Sequence, residues 1–218
     1  MNIYLVVEGE AEKKIYPKWV KYINPSFRII DDFQDVIDNC IYIVSGMGYP
    51  YYFEIIKAGA QDVANNPNFN LLVIAIDSEE MSYDEKRDEI SRFIDRLNLN
   101  IEYRIIIQHF CFETWALGNQ YIIKRHSSNT QITKYRDHFD VLTKDPELLL
   151  PPRDENTNRA QFAYKYLRAL LNDKSDKLHY SKRNPDAVLN RGFFSKVKRR
   201  YKETGHINSF KDFLIGFL

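Results

Sequence analysis

The run Ile3-Tyr4-Leu5-Val6-Val7 ends in Glu8-Gly9-Glu10. Five consecutive apolar residues followed by a carboxylate and a glycine predict a buried strand. Glu8 then stands where the strand leaves the core, and Gly9 is expected to turn the backbone sharply. A second run, Leu71-Leu72-Val73-Ile74-Ala75-Ile76, ends the same way, in Asp77-Ser78-Glu79-Glu80. Two apolar strands that each terminate in acids confine the chain to folds in which strand ends build a surface.

Helical and strand patterns alternate through the first half. Residues 10–23 read as a helix interrupted or kinked at Pro17, residues 27–30, 41–44 and 103–107 as strands, and residues 51–65 and 82–97 as helices. This alternation predicts an α/β layer with a mostly parallel sheet over residues 1–108. Residues 31–39 fit neither pattern. Beyond Gln108 the strands stop. Residues 111–120, 158–171, 193–202 and 210–218 read as helices, residues 121–135 as polar and irregular, and residues 109–218 as a basic, mostly helical extension packed on the first half.

The 218-residue chain has a net charge of +1, which conceals an asymmetry. Residues 1–110 hold 11 Lys and Arg against 18 Asp and Glu, a net of −7, and residues 111–218 hold 20 against 12, a net of +8. Carboxylates suit divalent cations and a cationic surface suits phosphate, although two ordinary solvated surfaces would give the same totals. No run has the length of a membrane span, and the start lacks a basic leader, so a cytoplasmic protein is expected. Cys40 and Cys111 lie far apart among apolar residues and read as reduced core thiols.

In a parallel sheet, Glu8, Asp77 and Glu79 would share one edge. Asp77 and Glu79 would face the same way if the strand continued through them. Three converging carboxylates repel one another unless a cation neutralises them, and Mg²⁺ or Mn²⁺ is the natural occupant. The alternative is three solvated acids at strand ends, where polar residues are common.

Val7-Glu8-Gly9-Glu10-Ala11-Glu12 after the first strand, with Ile76-Asp77-Ser78-Glu79 after a later one, resembles the Toprim domain of topoisomerases, DnaG-type primases and OLD-family nucleases. Phe112-Glu113-Thr114-Trp115-Ala116-Leu117 and Tyr180-Ser181-Lys182 are similar to signatures of the RloB-like and AbiL-like abortive-infection proteins, although the Asn-Pro that precedes Phe-Glu in those proteins is absent and Gln108-His109 stands nearby instead. The resemblance implies a Toprim-like, Rossmann-like fold and a phosphodiester-cleaving site. Glu8 would take an acid/base or metal role there, and Asp77 and Glu79 would take metal. It also implies an ABC-type or OLD-like ATPase partner and a setting in antiphage defence.

Glu113 is a possible fourth site acid or a buried structural glutamate, and Glu12 a possible outer residue. Lys182 is a candidate to steady a scissile phosphate, with Tyr180 and Arg183 beside it. Lys196, Lys198, Arg199 and Arg200 form a basic helix that could track a nucleic-acid backbone, with Phe193 and Phe194 read as core. Trp115 reads as core. Among the histidines, His109 is the best placed. Ser45-Gly46-Met47-Gly48 lacks the Gly-Lys of a Walker A loop, and no Ser-His-Asp order, CxxC pair or His-x-x-x-His spacing is present. The expectation is a Mg²⁺- or Mn²⁺-dependent nuclease acting on DNA or RNA, with a non-catalytic sensor or scaffold subunit of an ATPase complex as the alternative.

Overall fold

The computed structural model describes residues 1–218. Five strands, β1 (Ile3–Val7), β2 (Arg28–Ile30), β3 (Cys40–Ser45), β4 (Leu71–Asp77) and β5 (Tyr103–Gln108), form one parallel sheet in the order β2-β3-β1-β4-β5. Val7 pairs with Ser45 of β3 on one side and with Ala75 of β4 on the other. The architecture is a Rossmann-like α/β fold.

Contacts divide the chain into two compact units. The first comprises residues 1–76, 82–107 and 212–218, and the second residues 77–81 and 108–211. Relative to a single break after residue 108, the five residues after Ile76 belong with the later segment, and the last seven residues with the sheet.

In the first unit, α1 (Glu10–Ile23) follows β1, α2 (Tyr52–Asn65) follows β3, and α3 (Tyr83–Arg96) precedes β5. Alternation along the strands assigns the faces. Tyr4, Val6, Leu72, Ile74, Ile105 and Ile107 pack with Ile56, Ala60 and Val63 of α2 and Ile90 and Ile94 of α3. The C-terminal helix α9 (Phe210–Gly216) brings Gly216 against Ile106 on the opposite face, and its Phe213 ring meets Tyr16 and Trp19 of α1. The chain therefore winds one way from β1 and the other way from β3 and β4, as right-handed crossovers require. In folds of this class such a reversal makes the carboxyl end of the strand where it occurs, here β1, the usual place for a site.

Pro17 does not divide α1, which runs unbroken for 14 residues. A capping box between Ser82 and Glu85 starts α3, and the acids of its first turn suit the helix dipole.

The second unit holds α4 (Phe112–Leu117), α5 (Thr130–His138), α6 (Arg159–Lys174), α7 (Asp186–Leu189) and α8 (Arg191–Thr204). The segment read as irregular includes α5, which Asn129 caps by accepting from the amides of Gln131 and Ile132. Trp115, Phe193 and Phe194 are buried as expected, and the Trp115 indole donates to Ser209 Oγ at 2.7 Å. Cys40 and Cys111 are buried free thiols, and burial together with Glu113 and Asp77 holds the Cys111 thiol well above its usual range. No helix is long and apolar enough to cross a membrane.

Candidate active site

In the first unit, Glu8 is the residue after β1 and is partly exposed. The loop after β3 is laced to it: the Gly46 amide donates to Val7 O at 2.6 Å and the Gly48 amide to Glu8 O at 3.0 Å. A Cβ on Gly46 would stand 2.8 Å from the Tyr52 Cβ and 3.1 Å from Val7 O, so only glycine lets these strand ends close up. Gly9 plays a different part from the sharp turn expected of it. Its φ of −141° is ordinary extended backbone. A Cβ there would meet Glu12 Oε2 at 3.1 Å, so glycine makes room for a buried carboxylate in the first turn of α1.

Behind the same loop lies a buried cation that the sequence reading passed over. Lys86 Nζ donates to Tyr52 Oη at 3.0 Å and to Glu89 Oε2 at 2.8 Å. Burial raises the Tyr52 pKa; the lysine pulls it down, and the negative charge of Glu8 adds to the rise.

In the second unit, the turn after β4 separates the acidic pair. Asp77 closes the strand and is buried, whereas Glu79 is exposed. The strand does not continue through them: Glu79 has a φ of +52°, a left-handed conformation unusual for a residue with a side chain. The turn is held by the Ser78 amide on Gln108 O (3.1 Å) and the Glu79 amide on Phe110 O (2.9 Å). Asp77 Oδ1 accepts from Gln108 Nε2 at 2.8 Å, and Ser78 Oγ lies 2.8 Å from His109 Nδ1. Burial and the Arg159 charge lower the His109 pKa to about 4, so the ring is neutral near pH 7. Gln108, a polar residue that ends an apolar run, carries the same sequence signal as Asp77.

Glu113 is buried in α4 and accepts from Tyr180 Oη at 2.9 Å. That bond ties the segment bearing Lys182 and Arg183, both exposed, to the helix that follows β5. Arg200, expected on the basic face, does not belong to it. It is 2% exposed, and its guanidinium donates to the carbonyls of Leu142, Val141 and Lys144 and to His206 Nδ1, so it is a structural brace unavailable to a polyanion. Arg199 is exposed and shared between Glu203 and Tyr121 Oη; Lys196 Nζ lies 3.7 Å from the Tyr121 ring centroid, and Lys198 is partly exposed.

Comparison with known proteins yields no match. No family model, curated protein or solved structure matches this chain. The Toprim likeness therefore stands on the motifs quoted above.

Within neither unit are three or more His, Cys, Asp or Glu side chains gathered as a metal-holding group. Mg²⁺ commonly takes one or two carboxylates and keeps several waters. The Asp77 carboxylate, oriented by Gln108, and the exposed Glu79 two residues on offer hard oxygens suited to an open, largely hydrated site and do not form a closed protein cage.

Proposed function

We propose that this protein is a Mg²⁺- or Mn²⁺-dependent nuclease that hydrolyses phosphodiester bonds in DNA or RNA. One observation carries the reading. β1 and β4 are hydrogen-bonded parallel neighbours; Glu8 is the first residue after β1 and Asp77 the last of β4, and the winding direction reverses at β1. By the motif likeness, Glu8, Asp77 and Glu79 are the residues that would hold a divalent cation, which would supply positive charge to the phosphate and lower the proton affinity of water.

The chain's own residues do the rest. Glu8 acts on either the attacking or the leaving oxygen: it accepts the proton of the attacking water as that oxygen bonds to phosphorus, the leaving oxygen then taking a proton from solvent as the P–O bond breaks, or it protonates the leaving oxygen of a water-driven displacement. Gln108 holds the Asp77 carboxylate in one orientation. Lys182 and Arg183 donate to the phosphate, and Lys196, Lys198 and Arg199 hold the flanking backbone. By the motif likeness alone, we assign the activity to antiphage defence in the cytoplasm, under the control of an ABC-type ATPase. The exposed, turned Glu79 favours a second reading, a non-catalytic sensor or scaffold in such a complex.

The test uses the wild type and the Glu8→Gln and Asp77→Asn variants, each incubated with plasmid, single-stranded DNA and tRNA in Mg²⁺ or Mn²⁺. Metal-dependent cleavage that falls at least about 100-fold in both variants supports the nuclease. If folded wild type binds these substrates and cuts none of them, the scaffold is the better account.

A further inference from the structure

We propose that Arg159, which no sequence motif marks, is the guanidinium that grips the phosphate at the Asp77–Glu80 turn. The inference rests on the nuclease reading for the identity of the phosphate, but its geometry lies wholly within the second unit.

Arg159 opens α6, and its backbone amide donates to Glu80 Oε1 at 2.8 Å, which ties the start of the helix to the acidic turn across 79 residues of sequence. Its guanidinium carbon stands 4.3 Å from the Phe110 ring centroid. Phe110 in turn accepts the Glu79 amide through its carbonyl, and its ring centroid lies 3.9 Å from that of His109 at a tilt of 39°. The side chain is thus held beside the turn by an aromatic face, an arrangement that suits the planar guanidinium better than an ammonium.

The acid partner leaves the fork available. Arg159 Nε lies 3.7 Å from Glu80 Oε2, beyond hydrogen-bond length, and the Glu80 side chain is 56% exposed. An exposed ion pair of this length contributes little, so exchanging Glu80 for a phosphate oxygen costs little. Arg200, by contrast, has its guanidinium fully engaged by carbonyls. A guanidinium donates two parallel bonds to phosphate oxygens, which positions the group as well as binding it.

The experiment measures binding of a fluorescein-labelled twelve-nucleotide single strand and the corresponding duplex in Ca²⁺ from 50 to 300 mM salt, and cleavage in Mn²⁺. The proteins are wild type, Arg159→Gln, Arg159→Lys and the exposed control Arg153→Gln. Arg159→Gln is expected to lower the magnitude of the log–log salt slope by about 1, and to weaken binding about tenfold. Arg159→Lys should keep the slope and cleave about 10-fold more slowly or worse, because a point charge replaces a fork. Guanidinium ion at millimolar concentration should restore part of the cleavage lost in Arg159→Gln. A slope and a cleavage rate equal to wild type in both variants would overturn the proposal, as would a wild type that binds neither oligonucleotide. If wild type binds with a slope that depends on Arg159 but cuts nothing, the nuclease reading fails and the phosphate contact stands.

Discussion

Gln108 Nε2 donates to Asp77 Oδ1 over 2.8 Å, and both side chains are buried. A buried carboxylate must be neutralised or hydrogen-bonded, and an amide donor fixes its rotamer without cancelling its charge. Gln108→Leu should therefore weaken Mn²⁺ binding by roughly 10–100-fold, as loss of an orienting partner does at other metal sites. Calorimetric titration of Mn²⁺ into wild type and variant checks this, and equal affinities would refute the orienting role.

The left-handed backbone at Glu79 separates stability from activity. Glycine adopts a φ of +52° without the penalty an L side chain meets, about 1–2 kcal/mol. Glu79→Gly should leave the midpoint of urea unfolding unchanged or raise it, while metal-dependent cleavage falls. An unfolding midpoint that drops would mean the side chain supports the turn more than the backbone strains it.

Arg200 and Lys198 lie two residues apart on α8 and should behave oppositely. Arg200→Gln strands buried carbonyls and should cost about 2–4 kcal/mol in unfolding experiments, with no change in the salt slope of nucleic-acid binding. Lys198→Gln should be near neutral for stability and lower that slope by about 1. Reversed results would return Arg200 to the binding surface.

Two buried groups give pH dependences of opposite sign. Burial raises the Glu147 pKa to about 7 against the partly opposing hydrogen bonds from Ser209. Its contribution is fully present below the unfolded pKa near 4.5 and is lost as pH rises toward 7, a change of about 3 kcal/mol. His109, lowered to about 4, contributes above the unfolded pKa near 6.5 and loses that contribution as pH falls toward 4. Glu147→Gln should therefore leave a stability that rises with pH from 4 to 6.5 more steeply than in wild type. Chemical denaturation across this range measures it, and an unchanged profile would show that Glu147 titrates normally.

Removing the neighbouring cation should move His109 directly. Arg159→Gln should raise its pKa toward 6.5 without reaching it, because desolvation, the larger cause, remains. Histidine ring resonances followed by NMR against pH report the shift; no upward movement would place the guanidinium farther from the ring.

The strands, their parallel class and the acids at their ends were legible in the sequence because they are local. An apolar run and the polar residue that stops it sit within about eight positions, and short length with β-branched composition selects a strand buried on both sheet faces over a helix. Periodicity likewise marked α1, α2 and α3. Which acid is buried, which cation is spent and which is available depended on partners distant in the chain. Glu79 leaves the line of β4 because its turn is bonded to Phe110, Arg200 is consumed by carbonyls 56 to 59 residues away, and Arg159 reaches Glu80 across 79. A charged side chain looks the same in sequence whether it is solvated, braced or poised. Only tertiary structure decides among these, because the decision rests on desolvation and on hydrogen-bond partners that the local pattern does not contain.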